Sequence, residues 1–445
     1  MTLPVYILRC LDALEGAGFP AYAVGGCIRD LLLGRQPQDY DLCTAARPEE
    51  VRQIFSGYPQ VLSGVKHGTV GVVTEGGLVE ITTFRREGGY QDSRRPDWVE
   101  FVPHIAEDLA RRDFTVNAMA YSPRRGLCDP FGGQADLQAG LLRTVGDPAA
   151  RFTEDALRIL RGLRFAAAYG LTIVPETAQA MLTLRAGLDA LARERVFDEL
   201  CRLLLWADAA LLCRFAPILA QAVPELRSTL GFLQHSPHHA YDVFTHTAHV
   251  VESVPRELPL RWAALLHDVG KPAAFTLDEH GRGHFRGHAE ISAALAENAL
   301  RRLKAPAALR EQAVLLVSLH MLDIPPDKKL LRRRICRYGM DTLRQLLALQ
   351  RADFGGKGTG RNESHPEFDQ AEALLQEIQE EHACLSLKDL AVSGHDLLAL
   401  GYAPGRALGA CLERLLTQVV DGELPNEKES LLDAAKRFQQ EHPQM

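Results

Sequence analysis

Asp39 and Asp41, spaced by one residue, are the first side chains in the chain whose types and spacing could do chemistry. In an extended strand residues i and i+2 face the same side, so their carboxylates converge on one point. Two hard oxygen ligands are what Mg²⁺ requires. They follow the run Val24-Gly25-Gly26-Cys27-Ile28-Arg29-Asp30-Leu31-Leu32-Leu33-Gly34. Ala21 to Val24 reads as a strand, Gly25-Gly26 as a tight turn that lets a ligand approach the backbone, and Cys27 to Leu33 as a helix. Such a turn presents free N–H groups at a helix start, where a phosphate is favoured. The elements required are therefore strand, glycine turn, helix and a second strand carrying the acids.

Further along, Thr69 to Val73 and Leu78 to Phe84 alternate with period two around Glu75-Gly76-Gly77, a hairpin signal. Glu80 either completes a carboxylate triad, if its strand lies beside that of Asp41, or faces solvent. Arg85 to Pro96 is charged, glycine-containing and aperiodic, and reads as a mobile loop. Arg111-Arg112-Asp113-Phe114-Thr115-Val116-Asn117 groups cations, an acid and an amide able to hold a triphosphate and a ribose hydroxyl. From Arg151 to Phe165 a helix is expected, with Leu157, Leu160 and Leu163 at helical spacing and Thr153 as N-cap. Asp155 and Arg158, three apart, can offer an acceptor to an exocyclic amino group and a donor to a ring acceptor, the hydrogen-bonding edge that cytosine and adenine share.

In order and spacing, Gly-Gly-x-x-Arg-Asp-x-Leu-Leu-Gly followed by Asp-x-Asp resembles the class II tRNA nucleotidyltransferases and their bacterial poly(A) polymerase relatives. The resemblance covers most of the chain. It implies an α/β (α+β) polymerase-beta-like head followed by an all-helical neck, an HD domain and a tail, divided at 1–147, 148–231, 232–356 and 357–445. It further implies addition of CCA to the tRNA 3′ end from CTP and ATP. Asp39 and Asp41, with Glu80 in a matching Glu-x-Thr-Thr-Phe-Arg context, would hold Mg²⁺. Gly25, Gly26 and Arg29 would position phosphates. Arg112, Asp113 and Asn117 would contact nucleotide and sugar, and Asp155 and Arg158 would select the base beside Arg161 and Arg164. The loop after Arg85 is similar to one that cytidine-only enzymes lack, and Ala192 to Leu200 to a helix that braces the neck. A poly(A) polymerase and a partial, CC- or A-adding enzyme are the alternatives within this class.

A second constellation is His246, the adjacent pair His267-Asp268 in Leu265-Leu266-His267-Asp268-Val269-Gly270-Lys271, and then His288, His320 and Asp353. Neighbouring His and Asp at the end of an apolar helix can ligate one metal if distant residues complete the shell. The pattern looks like the HD phosphohydrolases. That resemblance implies a divalent transition metal or Mg²⁺ on His246, His267, Asp268 and Asp353, with His288 and His320 at a phosphate or second metal. A phosphohydrolase with a noncatalytic RNA-docking head is the reading from another class. His249 and His284 are expected to be structural or exposed.

The remaining signals set bounds. At 445 residues the chain holds several domains, and 46% hydrophobic and 24% charged residues are ordinary for a globular protein. No apolar run reaches the length of a bilayer span and no signal core opens the chain, so a cytoplasmic protein without membrane contact is expected. Nine scattered cysteines without a Cys-x-x-Cys pair argue against disulfides and thiolate zinc, and read as reduced core residues. With a net charge of −7, RNA binding must rest on local basic clusters, of which Lys328-Lys329 and Arg332 to Arg334 are one candidate. Ser393 and Asp396 read as helix-start residues.

Overall fold

The structure, a computed structural model, describes residues 1–88, 98–237, 240–358, 366–381 and 383–441. The chain divides into two compact units, Met1–Arg227 with Ala299–Ala305, and Ser228–Asn298 with Pro306–Met445. The expected head and the expected neck as far as Arg227 fall within the first unit, and 228–231 of the neck fall within the second. Apart from Ala299–Ala305, the expected HD and tail segments fall within the second.

In the first unit, α1 (Val5–Gly16) precedes β1 (Ala21–Val24), whose four residues are all buried; α2 (Gly26–Leu32) then leads to β2 (Asp41–Thr44). After α3 (Pro48–Ile54) and β3 (Gln60–Val61) comes the expected hairpin, β4 (Thr69–Thr74) and β5 (Gly77–Thr83). Arg85 to Pro96 differs from expectation, because Arg85–Gly88 is a strand, β6, paired antiparallel with β7 (Trp98–Phe101). The rest of that expected loop, 89–97, lies outside the described residues. Next are α4 (Ile105–Ala110), β8 (Ala120–Ser122), β9 (Gly126–Cys128) and α5 (Gly133–Gln138). The main sheet has the order β3-β4-β5-β2-β1-β8-β9. Apolar side chains including Tyr22, Val24, Cys43, Phe84 and Leu109 form the core beneath it. β2 is exposed only at Asp41, its first residue, so burial of Leu42, Cys43 and Thr44 anchors the strand that ends at the acid.

The helix expected from Arg151 is two helices. α6 (Pro148–Glu154) is capped by Asp147, whose carboxylate accepts the Ala150 N–H at 2.9 Å, and Pro148 occupies the first helical position, where its missing N–H costs nothing. Thr153 is thus not an N-cap but an interior residue, its hydroxyl donating to the Ala149 carbonyl. The chain breaks at Asp155 (φ −145°, ψ 103°) and resumes as α7 (Leu157–Tyr169), ended by Gly170 in the left-handed region. Leu157, Leu160 and Leu163 are buried as their spacing requires. α8 (Pro175–Thr183) and α9 (Arg193–Leu204) follow, and α9 packs along α7.

The second unit is mostly helical. Its helices include Val243–Ser253, Leu258–Leu266, Ala307–Leu319, Met340–Gly355 and the part of His288–Arg302 up to Asn298. The body is not wholly helical: Thr276–Leu277 pairs with Gly283–His284, and in the first unit Leu141–Leu142 pairs with Thr172–Ile173. Ser393 and Asp396 form a capping box, as expected. Much of the basic run at 328–334 is neutralised internally. Lys328 reaches Glu377 and Glu381 at 2.5 and 2.6 Å, Arg332 reaches Glu381 at 2.7 Å, and Arg333 forks onto Asp421 at 2.6 Å, so this face is a weak candidate for RNA. All nine cysteines are free thiols, although Cys336 is exposed rather than in the core. Among the described residues no helix is long and apolar enough to cross a membrane.

Candidate functional site

β2 and β5 are parallel neighbours, and Asp41 stands in register with Glu80. The condition on Glu80 is met, since register partners project to one face of a sheet. Asp39 lies two residues ahead of β2 rather than within it, so strand alternation does not place it; the loop entering the strand does. Asp39 and Asp41 line a cleft of about 810 Å³. Recession into that cleft, and then the Glu80 charge, push the Asp41 carboxyl above its ordinary range, against the pull of Arg112; Asp39 adds to the rise. Crowded carboxylates of this kind fit a divalent cation, which would relieve their repulsion.

The glycine turn lies in the same cleft. Gly25 has φ 79° and ψ −127°, and a Cβ there would come within 2.8 Å of an Arg112 terminal nitrogen. Only glycine suits both the backbone and the close approach. Arg29 donates to the Asn117 side-chain oxygen at 2.6 Å, to Asp30, and to the Tyr169 hydroxyl, and its guanidinium lies 4.0 Å from the Tyr169 ring centroid.

From Asn117 the network continues into α7 and α9. Asn117 donates to Asp113 at 3.1 Å, Arg161 forks onto Asp113 at 2.6 and 2.8 Å, and Arg164 donates to the buried Glu199 at 2.6 Å. Burial alone would raise the Asp113 carboxyl, but the Arg161 charge and three hydrogen bonds outweigh it and hold it down at about 2. Asp113 is therefore an anion held by the protein, and its expected contact with sugar is limited to what its cleft-facing side can offer. Arg112 is held by the buried Asp108 at 3.4 Å, which also takes Arg111 at 2.8 Å.

Asp155 and Arg158 both line the cleft, although Asp155 sits at the helix break rather than on the helix face. Its carboxylate accepts from the Leu157 N–H at 3.0 Å and from Arg195 at 3.1 Å. Arg158 is fixed by Glu154 at 2.6 Å and by the carbonyls of Arg151 and Arg111, each at 3.1 Å. Glu199, Asp108, Tyr169 and Arg195 were not singled out as site residues from sequence. Only Glu199 and Arg195 carried a signal, their spacing of four on a helix otherwise read as a brace.

The second unit gathers all six expected histidine-domain residues. His246 Nε2 lies 2.8 Å from Asp353 and 3.6 Å from Asp268; His267 Nε2 lies 3.2 Å from Asp268. His288 Nε2 lies 3.3 Å from Asp268 and 3.0 Å from His320 Nε2. Each of the four rings turns Nδ1 to a backbone carbonyl, those of Gly356, Ala264, Phe285 and Val317, which directs every Nε2 inward. Donor atoms of His246, His267, Asp268 and Asp353, and of Asp268, His288 and His320, all lie within 4.8 Å of one another in each set. His267 Nε2 is fully buried and meets the carboxylates of Asp268 and Asp353, at 3.2 and 3.7 Å, an arrangement that suits a shared metal ion. Lys271, three residues after Asp268 and 2.6 Å from it, was missed as a site residue although it stands in the same motif. The adjoining cavity of about 680 Å³ is lined by Lys271, Arg282, Arg286 and Lys357, and by His284, so His284 is a wall of the site; His249 instead stacks on Tyr241.

A mixed sheet bearing paired acids beside a glycine turn, followed by a helical body, defines a nucleotidyltransferase. Residues 21–143 match the poly A polymerase head domain, residues 170–214 the "probable RNA and SrmB-binding site of polymerase A", and residues 285–435 tRNA nucleotidyltransferase domain 2. Curated relatives narrow the class. A CCA-adding enzyme of Levilactobacillus brevis is 36% identical over 429 residues, 95% of each chain, and one of Streptococcus thermophilus is 32% identical over 97% of this chain and 96% of its own. The chain belongs to the CCA-adding enzyme family. Among solved structures it is similar to the Bacillus stearothermophilus CCA-adding enzyme in complex with CTP, with a TM-score of 0.75 and 28% identity over the whole of both chains. The Thermotoga maritima CCA-adding enzyme complexed with tRNA shares the fold, with a TM-score of 0.61 at 20% identity, over 98% of this chain and 96% of that one.

Proposed function

We propose that this protein adds C, C and A to the 3′ end of tRNA, taking CTP and ATP in the cleft of the first unit, in the cytoplasm. The observation that carries the reading is that Asp41, in register with Glu80 on the neighbouring strand, lines one cleft with the Gly25-Gly26 turn and the Asp155–Arg158 pair. Four parts, head 1–147, neck 148–231, HD domain 232–356 and tail 357–445, divide the work.

In the reaction the RNA 3′ hydroxyl loses its proton and bonds to the nucleotide α-phosphorus, and the α–β bridging bond breaks to release pyrophosphate. Asp39, Asp41 and Glu80 would hold Mg²⁺, which when bound lowers the pKa of that hydroxyl and neutralises the leaving pyrophosphate. Turn N–H groups at Gly25-Gly26 receive phosphate oxygens, with Arg29 and Arg112 supplying positive charge. Asp155 and Arg158 present the acceptor and donor that meet cytosine or adenine, and Arg195 and Glu154 hold them in that pose. Asp113, Asn117, Arg161 and Arg164 form the wall against which nucleotide and sugar are placed.

Selection by side chains gives a specific test. Asp155→Ala and Arg158→Ala should each lower kcat/KM for CTP and ATP by roughly 10- to 100-fold, the worth of one paired base edge, while UTP and GTP incorporation rises relative to them. Competition assays with all four labelled nucleotides read this directly. Unchanged rate and selectivity in both variants would contradict the assignment.

The six-residue histidine set supports a second activity in the same chain. His246, His267, Asp268 and Asp353 would hold a divalent metal, with His288 and His320 beside Asp268 at a second position. Cations lining the adjoining cavity suit a phosphate ester, for which cyclic or terminal phosphates of RNA ends are candidates. Such a metal, when bound, supplies an activated water and a Lewis acid for phosphate hydrolysis.

A further inference from the structure

α9 carries a second set of side chains into the nucleotide cleft. Arg195, Glu199, Arg202 and Trp206 follow one another at steps of four, three and four, which places them on one stripe of a helix. The stripe continues past the end of α9 because Leu205 keeps helical angles and the Trp206 N–H donates to the Leu203 carbonyl at 3.0 Å. Its first two members are committed, Arg195 to Asp155 and Glu199 to Arg164, and these ion pairs fix how the stripe faces α7. Arg202 and Trp206 follow on that face, line the same cleft as Asp39 and Asp41, and are exposed; Trp206 shows 47% of its surface. The same lining includes Arg35, also exposed, and Tyr169, with the Arg35 guanidinium 4.9 Å from the Tyr169 centroid.

A large exposed indole in a cleft that guanidinium groups also line is a stacking platform for a nucleobase, with cations for its phosphates in the same cleft. Two nucleotides must enter this cleft, the incoming triphosphate and the end of the RNA. Base contacts for the first come from Asp155 and Arg158. The RNA terminus is a different problem, since its last base changes as the chain grows. A seat that reads hydrogen-bonding edges would reject some of these ends, whereas an aromatic face accepts every base. Resting on the nucleotidyltransferase reading above, we infer that Trp206, in a cleft lined also by Arg202 and Arg35, seats the 3′-terminal base of the RNA acceptor strand by stacking.

The test compares Trp206→Ala and Trp206→Phe in steady-state addition to tRNA transcripts that end before, within and one short of CCA. Loss of one stacked base should raise the KM for RNA roughly 5- to 100-fold in the alanine variant at every end, with KM for CTP and ATP unchanged; phenylalanine should restore most of it. A second readout is tryptophan fluorescence in a Trp98→Phe background, in which Trp206 is exposed and the other remaining tryptophan, Trp262, is buried. Transcript binding should quench it, and adding Trp206→Phe should abolish the quench. An unchanged RNA KM, or a shift confined to the nucleotide KM, would overturn the proposal. Absence of any nucleotide addition by the parent enzyme would instead overturn the reading on which it rests, and the quench separates the two failures by reporting RNA binding alone.

Discussion

Asp41→Ala should reduce nucleotide addition by at least about 10³-fold while leaving the protein folded. The size follows from the role proposed for the carboxylate: if it holds Mg²⁺ with Asp39 and Glu80, losing it would remove both nucleophile activation and neutralisation of the leaving group. Structure supplies the second half of the expectation. Recession into the cleft, and then crowding by Glu80 and Asp39, push the Asp41 carboxyl up, so its charge opposes folding at neutral pH. Removing it should leave the Tm unchanged or slightly raised. Incorporation of labelled CTP and ATP, with a thermal melt of the same preparation, checks both parts. Activity retained within tenfold, or lost only together with the fold, would refute the placement of the active site at β2.

His267→Gln should empty the histidine site and leave nucleotide addition intact. His267 is fully buried, its Nδ1 is committed to the Ala264 carbonyl and its Nε2 faces Asp268 and Asp353. Loss of one ligand from a four-residue set should lower metal content after dialysis at least tenfold. Any hydrolysis of phosphate esters by this unit should fall by at least about 10²-fold, because the activated water is lost with the metal. Elemental analysis gives the first result without reference to activity, and phosphate release from RNA ends gives the second. Full metal retention would exclude His267 as a ligand.

Much of this arrangement is legible in local sequence. Gly25-Gly26 needs no partner to be read as a turn, since only glycine adopts the backbone found there, and the β4–β5 hairpin follows from alternation around Glu75-Gly76. The histidine set was readable because His267 and Asp268 are adjacent at the end of an apolar helix, with His246, His288, His320 and Asp353 at long intervals around them. Where expectation failed, a local signal lost to a stronger neighbour or a distant partner was invisible. Asp147-Pro148 is a better helix start than Thr153, so the neck helix begins earlier and breaks at Asp155. Asp39 was assigned to a strand that starts only at Asp41. Asp108 and Glu199 look like ordinary helix carboxylates until α4 and α9 place them against Arg112 and Arg164. The basic run at 328–334 was open to reading as an RNA contact or a solvated helix face, and its ion-pair partners, Glu377, Glu381 and Asp421, some fifty to ninety residues away, were invisible locally.

The most direct measurement of the central claim is incorporation of single labelled nucleotides, and of CTP with ATP, into tRNA transcripts ending before, within and after CCA. Addition of C, C and then A, stopping there, is the expected result. A transcript that already ends in CCA should take up nothing. A long A tail would contradict it in favour of a poly(A) polymerase, addition of one nucleotide type would reduce it to a partial enzyme, and no incorporation with any substrate would contradict it outright.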